Sequence, residues 1–332
     1  MPLLGKKMKK ALIFDCDNTL WRGVIGEDTI VPDVKIQNDI IFYAHHGVII
    51  GLCSKNNEVD ILEALRGQPL TEDYISVHRI NWRDKASNLR EISIELNIGL
   101  DAIVFVDDSP FEINMIRELL PEVMCIYPSE LTEIVGMHFD LSGDFTKTQQ
   151  YKEQYQRVKA IEHFTYLDDY LASLDMVLAI ECNNRDYIQR IAEMTQKTNQ
   201  FNLTTKRMTA AQVETLMAWI RIYTLKVKDR FGDCGITGLC MINNSKIINF
   251  LLSCRIIGRG IEYAFIDYII NDLAGKEFHL YGSYIPTAKN NQVAEFYESL
   301  GFEFIKQSGE EKIYYQVLND YKPKAKTHFR YE

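Results

Sequence analysis

Three short apolar runs, each breaking abruptly into polar residues, constrain this chain more than any other feature. Lys10 to Phe14 (KALIF) runs into Asp15-Cys16-Asp17, and Gly47 to Cys53 (GVIIGLC) runs into Ser54-Lys55-Asn56-Asn57. Ala102 to Val106 (AIVFV) runs into Asp107-Asp108-Ser109-Pro110. None of these runs alternates polar with apolar residues, which is the pattern of strands buried on both faces. Helix-like stretches lie between them at Glu58 to Arg66, Asp84 to Leu96 and Pro110 to Leu120, the last opening on a proline. Val123 to Tyr127 reads as another strand. Strand, crossover helix and strand repeated in this way specify a parallel sheet with helices on both faces. Ligands of such sheets bind beyond the carboxyl ends of the strands, where the polar residues of this chain cluster.

The 332 residues suggest about two domains at roughly 150 residues each. The character changes from Leu141 to about Leu174, which is polar, then helical, and lacks strand signals. The expected organisation is therefore an α/β domain over residues 1–140, a helical linker over 141–174, an α+β domain over 175–320 and a frayed tail over 321–332. In the second domain, strands are expected at Met176 to Ile180, Tyr223 to Lys228, Ile236 to Ile242, Lys246 to Ser253 and Phe278 to Tyr281. Helices are expected at Asp186 to Thr198, Thr209 to Trp219, Gly260 to Asn271 and Asn291 to Leu300. Asn243-Asn244 is a hairpin turn signal.

Charge and composition exclude several classes. Lys and Arg number 37 against 46 Asp and Glu, a net charge of −9. That balance opposes a broad electrostatic partnership with nucleic acid or an anionic membrane; Lys6 to Lys10 is too short a basic stretch to count as a nucleic-acid patch. No apolar run approaches a membrane span, and the acids at Asp15 and Asp17 interrupt what would be the apolar region of a signal peptide. Seven cysteines without a CxxC pair fit reduced thiols and a cytoplasmic location.

Asp15 and Asp17 stand two residues apart at a strand end, an arrangement suited to a hard cation such as Mg²⁺. Asp107 and Asp108 end another strand. Ser54 ends a third, where its hydroxyl and amide can hold phosphate oxygens. Lys85 opens a helix and can neutralise a carboxylate and a transferring phosphoryl group. In this order the residues DCDNT (Asp15 to Thr19), Ser54 after GVIIGLC, Lys85 in NWRDK and FVDDSP (Phe105 to Pro110) resemble the haloacid dehalogenase superfamily of phosphotransferases. The resemblance implies that Asp15 is a nucleophile forming an aspartyl-phosphate, and that Asp17 is general acid and base and lends its backbone carbonyl to Mg²⁺. It also implies that Asp107 is a metal ligand supported by Asp108. The intervals of 39 residues from Asp15 to Ser54 and 31 from Ser54 to Lys85 leave no room for a folded cap, so a haloacid-dehalogenase-type, Rossmann-like sheet with an open site is expected.

A second constellation follows the run INFLLS. Arg255-x-x-Gly258-x-Gly260, with Arg259 inside it, forms a glycine-rich turn opening a helix, where free amides and the helix dipole favour a pyrophosphate. It resembles the acyl-CoA loop of the GNAT acyltransferases, and Asn290 to Glu303 (NNQVAEFYESLGFE) resembles that fold's later helix. There Tyr297 would protonate a leaving thiolate. CoA, or the same arm as phosphopantetheine on a carrier protein, is the ligand this implies for Arg255, Gly258, Arg259 and Gly260.

Taken together, FDCDNTLWRGVIGED, LCSKNN, FVDDSPFEINMIRELLPEV, MTQKTNQFNLTTKRMT, DRFGDCGITG, SCRIIGRGIE and YIPTAKNNQVAEFYESLGF resemble the FkbH-like proteins of haloacid dehalogenase subfamily IIIC. The chain departs from that pattern at Cys16, where leucine is usual. The resemblance implies that a glyceryl unit is taken from 1,3-bisphosphoglycerate, a phosphorylated three-carbon acyl donor, that phosphate is removed, and that the unit is loaded on the pantetheine thiol of an acyl carrier protein. It also implies Cys53 as acyl acceptor, and Lys197, Asn199, Asn202, Thr204 and Thr205, in the same family segment, are expected to line the cleft between the domains. Two alternatives stand beside this reading: a plain Mg²⁺ phosphatase fused to an acyl-CoA-dependent acyltransferase, and a non-catalytic carrier-docking module.

Overall fold

The computed structural model describes residues 8–161, 163–326 and 328–332, so Lys6 and Lys7 lie outside the described residues. The chain divides into two compact units, Met1–Lys159 and Ala160–Glu332.

The first unit begins with β1 (Ala11–Phe14), β2 (Trp21–Arg22), β3 (Val31–Pro32), α1 (Val34–His45) and β4 (Ile49–Ser54). It continues through α2 (Glu58–Leu65), β5 (Val77–Ile80), α3 (Lys85–Glu95) and β6 (Ile103–Val106). It closes with α4 (Pro110–Leu119), β7 (Met124–Ile126), α5 (Leu131–His138) and α6 (Thr146–Ile161). Among the described residues five strands pair in the order β5-β4-β1-β6-β7, all parallel. The unalternated strands are buried on both sides. Leu12, Phe14, Ile50, Leu52, Val104 and Val106 face one apolar layer with Ile40, Ile61 and Val135. Ile13, Cys53 and Phe105 face the other with Leu89, Ile92, Ile113 and Ile116. Gly51 sits where a Cβ would lie 2.7 Å from Ile13 and 2.9 Å from Val77, so the strand spacing requires glycine there. Between β1 and β4 the chain makes only the β2–β3 hairpin and α1, and no cap domain stands over the sheet among the described residues.

The second unit runs α7 (Leu167–Ser173), β8 (Val177–Cys182), α8 (Ile188–Lys197), β9 (Phe201–Asn202), α9 (Ala210–Leu216), β10 (Arg221–Asp229) and β11 (Gly232–Asn243). Then follow β12 (Lys246–Leu252), α10 (Ile261–Leu273), β13 (His279–Tyr284), α11 (Phe296–Ser299), β14 (Glu303–Ser308), β15 (Glu311–Val317) and β16 (Arg330–Tyr331). Its sheet has the order β14-β15-β13-β12-β11-β10-β8-β16, with β9 also paired to β12. The Asn243-Asn244 turn joins β11 to β12, and Asn244 takes the left-handed φ of +51° that such turns demand. Helix α10 buries Ile261, Phe265, Ile266, Ile269 and Leu273 against the sheet.

Several expectations change. The segment foreseen as a linker does not stand apart. Helix α6 belongs to the first unit up to Lys159, with Thr148 Oγ1 donating to Ala44 O at 3.3 Å and Tyr151 and Tyr155 packed on its core. Helix α7 instead buries Tyr170 and Leu171 in the second core. The tail is not frayed at its end: Arg330 N donates to Met176 O and Glu332 N to Leu178 O, each at 3.0 Å, covering the open edge of β8. The helix foreseen at Asn291 to Leu300 is a single 3₁₀ turn followed by the four-residue α11. Strands β2, β3, β5 and β9 carry too few residues or too mixed a pattern to stand out in the sequence. No helix is long and apolar enough to cross a membrane among the described residues.

Candidate active site

The site lies at the carboxyl ends of β1, β4 and β6, where each strand hands over to a turn with defined capping. After β1 the chain turns at once: Leu20 N donates to Cys16 O at 2.8 Å, and Asn18 adopts a φ of +53°. After β6, Asp107 Oδ1 accepts from Ser109 N at 2.8 Å, Ser109 caps α4, and Pro110 takes the first helical position. Asp84 caps α3 by accepting from Ser87 N at 2.7 Å, which fixes Lys85 as the first residue of that helix.

These local devices bring together groups 70 and 22 residues apart in sequence. Lys85 Nζ donates to Asp15 Oδ1 at 2.8 Å and to Asp107 Oδ2 at 2.7 Å, all three side chains being buried. Carboxylate oxygens of Asp15, Asp107 and the exposed Asp108 lie within 4.8 Å of one another. Burial, then the charge of Asp107, raises Asp15 to about 6 against the pull of Lys85. Burial also raises Asp107 and Asp108, the latter further through Asp15. Burial alone would lower Lys85, but Asp15 and Asp107 outweigh it and hold the ammonium charged. Three carboxylates against one ammonium leave an excess of negative charge in a polar pocket of oxygen donors. That donor set fits a hard divalent cation. Ser54, at the end of β4, is buried beside them, its hydroxyl favouring the ionised form of Asp15.

Asp17 is held apart from this cluster. Its Oδ1 accepts from Trp21 Nε1 at 2.8 Å and from Ile25 N at 3.2 Å, and its Oδ2 accepts from Asn56 Nδ2 at 2.8 Å. The Asp17 carboxylate is therefore not a member of the cation-binding set, a correction to its grouping with the metal ligands; toward a cation it could offer only its backbone carbonyl, and the carboxylate is left to the acid and base role. Sequence reasoning passed over Asn56 and Glu112. Asn56 bridges Asp17 and, at 3.4 Å, Ser54 Oγ, while buried Glu112 accepts from Lys55 Nζ at 2.7 Å. The signal for Asn56 was present in the SKNN cluster; Glu112 reads in sequence as an ordinary first-turn acid.

Cys53 does not meet its expected role. Its side chain points away from Ser54 into the layer of Ala86 and Leu89, is fully buried, and lies 3.9 Å from Lys85 O. Burial drives its thiol pKa strongly upward, the environment of an inert packing residue rather than a nucleophile.

In the second unit, Gly258 and Gly260 take φ of +83° and +72° with open space where a Cβ would be, and Gly260 caps α10. Arg259 does not face outward: its Nη1 pairs with Asp229 Oδ2 at 3.1 Å and its Nη2 donates to Arg255 O at 2.7 Å, in a buried setting. Tyr297 is 1 % exposed, and burial raises its hydroxyl pKa far above the ordinary value. A proton-donating role toward a bound thiolate does not fit that placement. Asn202 ends β9 and Thr204 lies just after it, both buried within the second unit.

The chain thus joins a parallel α/β unit, with a carboxylate and lysine site at its strand ends, to an α+β unit built on a mixed sheet. The chain matches no known family pattern and no curated protein. Among solved structures it is similar to the N-terminal part of a Bacteroides fragilis protein containing a phosphatase domain complexed with Mg. That match has 37% identity and a TM-score of 0.38, over 41% of this chain and 42% of the other. It is also similar to an N-acetyltransferase from Staphylococcus aureus Mu50, at 14% identity and a TM-score of 0.32, over 42% of this chain and 98% of the other. A third is the ribosomal-protein-S18-alanine N-acetyltransferase from Escherichia coli, at 12% identity and a TM-score of 0.31, over 42% and 90%.

Proposed function

We propose that the chain is a Mg²⁺-dependent phosphotransferase acting through Asp15, and that it serves to load a glyceryl unit on a carrier protein. The observation that carries the first part is the buried Lys85 ammonium set between Asp15 and Asp107, with Asp108 completing an oxygen donor set. Asp15, Asp107 and Asp108 would hold Mg²⁺, which when bound offsets carboxylate and phosphoryl charge. Asp15 Oδ attacks phosphorus, the bond from phosphorus to the leaving oxygen breaks, and Asp17 supplies that oxygen's proton. Water then attacks the aspartyl-phosphate and yields its proton to Asp17, releasing phosphate. Lys85 offsets charge on Asp15 and the transferring group, and Ser54 is placed to donate to a phosphoryl oxygen. Trp21 and Asn56 fix Asp17.

Donor and acceptor are supported by the sequence resemblance to FkbH-like proteins. In this reading the Asp15 site removes the 3-phosphate of 1,3-bisphosphoglycerate. The carrier's thiol sulfur attacks the C1 carbonyl, the bond to the 1-phosphate breaks, and the thiol proton passes to solvent. With Cys53 buried, transfer goes directly to that thiol. The alternative, a phosphatase joined to an acyl-CoA-dependent acyltransferase, draws on the open Gly258 and Gly260 backbone. Incubation with 1,3-bisphosphoglycerate, Mg²⁺ and a pantetheinylated carrier, read by intact mass, separates the two. A glyceryl mass on the carrier supports the first reading; phosphate release alone supports the second.

A further inference from the structure

Strands β12 and β13 are parallel neighbours, yet they pair at a single position, Lys246 with Tyr281, and then diverge. Two parallel strands that separate expose a wedge of backbone amides and carbonyls, which must find partners when buried. An extended, amide-bearing chain is the natural complement. Pantetheine has that form, and so does a peptide strand.

In this protein the wedge is already filled. Strand β12 pairs with β11 on one side throughout Gly238 to Asn243. On its other side Leu251 pairs with Asn202 and Leu252 with Phe201. The next residue spans the gap: Leu203 N donates to Phe250 O at 3.0 Å, and Ile285 N, just past β13, donates to Leu203 O at 2.8 Å. Asn290 Nδ2 donates to Asn202 O and to Ile285 O, each at 2.9 Å. Asn202 Nδ2 donates to Thr198 O at 3.1 Å and its Oδ1 accepts from Thr205 N at 2.8 Å. Thr204 Oγ1 bonds Ile248 O and Asn249 Oδ1. Phe201 stacks edge-on to Phe296 at 5.5 Å, and Asn202 and Leu203 are fully buried. This is an interior strand, not a strap lying over an opening.

Two further groups turn inward in the same unit. Arg259 closes its own turn through Asp229 and Arg255 O. The Tyr297 ring lies against β13, so close that a Cβ on Gly282 would stand 2.3 Å from its Cε1, and its hydroxyl is buried beside the Ser283 backbone.

We infer that β9 is the permanent occupant of the β12–β13 wedge, and that the second unit therefore takes no pantetheine arm there, whether the arm belongs to CoA or to a carrier protein. The inference stands independently of phosphoryl transfer in the first unit. Arg259 and Tyr297 act as structural groups, and the unit serves as a closed scaffold rather than as an acyl-thioester site.

The test uses the full chain with acetyl-CoA and, separately, free pantetheine at millimolar concentration, followed by hydrogen exchange of peptides covering residues 199–205 and 248–254. The expected result is strong protection that neither compound alters. Loss of protection at 201–204 in the presence of either compound would overturn the inference, and a response to acetyl-CoA alone would show that the nucleotide part drives the opening. As a second measurement, Tyr297→Phe keeps the buried ring and removes only the hydroxyl, so any acyl transfer activity is expected to stay unchanged. A tenfold or greater loss of acyl transfer in a folded Tyr297→Phe protein would also overturn it. Phosphate release measured in parallel reports on the first unit alone, so its failure is distinguishable from failure here.

Discussion

Replacing Lys85 with methionine should reveal how strongly the carboxylate cluster depends on one ammonium. Lys85 Nζ is the shared partner of Asp15 and Asp107, at 2.8 and 2.7 Å, with side-chain exposures of 5 %, 9 % and 0 %. Removing one member of a buried ion pair costs about 3–5 kcal/mol, because the remaining charge is left without compensation. For a unit of this size that corresponds to a melting shift on the order of 6–20 °C. The penalty should depend on pH with a definite sign. Without Lys85 the buried carboxyls rise further above the unfolded value of about 3.9, so the folded state binds more protons than the unfolded one. Stability then falls as pH rises from about 4 through the raised folded value. The variant should accordingly lie nearer the wild type at pH 5 than at pH 8. Saturating Mg²⁺, bound only by the folded site, should recover part of the loss at pH 8. Calorimetric melting of both proteins at the two pH values, with and without Mg²⁺, measures all three effects. A penalty independent of both pH and Mg²⁺ would refute the charge-compensation reasoning and leave Lys85 as a packing residue.

Asp15→Asn is expected to lower phosphate release from p-nitrophenyl phosphate by about 10⁴-fold or more while the fold survives; turnover near the wild-type rate would remove Asp15 from the reaction. Since protons compete with the cation for Asp15, which is raised to about 6, Mg²⁺ affinity by calorimetry should weaken by roughly tenfold per pH unit below that value, and a flat profile would count against Asp15 as ligand. Cys53→Ala should cost about 1–2 kcal/mol of stability and leave phosphate release within twofold, and native Cys53 should resist alkylation; labelling of the folded protein would restore its candidacy as nucleophile. Asn56→Ala removes a donor to Asp17 Oδ2, a bond to a charged group worth about 1.5–3 kcal/mol, so kcat should fall roughly 10- to 100-fold with little change in KM; an effect confined to KM would place Asn56 in substrate binding instead.

The parallel sheet and its site were largely legible in sequence because both are written locally. Unalternated strands such as Ala11–Phe14 announce burial on two faces, and the polar residue following each strand must lie at the same edge of a parallel sheet. That alone gathers Asp15, Ser54 and Asp107. The Ser109-Pro110 and Asp84-Lys85 pairs announce where helices start, and a lysine at the first helical position is delivered to the same edge. Asn243-Asn244 likewise fixed a hairpin through its own backbone preference.

What escaped the sequence depends on side-chain direction and on partners distant in the chain. Cys53 and Ser54 are neighbours, yet successive strand residues face opposite sides, so one joins the site and the other the core; the motif names both without choosing between them. Asp17 stands two residues from Asp15 and was grouped with the cation ligands, but Trp21, Ile25 and Asn56 draw its carboxylate aside. The glycine-rich turn at Arg255 to Gly260 promises an open anion site, whereas Asp229, 30 residues away, turns Arg259 inward. Two-residue β9 carries no periodicity to detect, because it exists only where β12 and β13 diverge and leave backbone groups to be satisfied. Local pattern determined which residues reach the strand ends; tertiary packing decided which of them face the site, since orientation, burial and pairing arise only when separate elements close against one another.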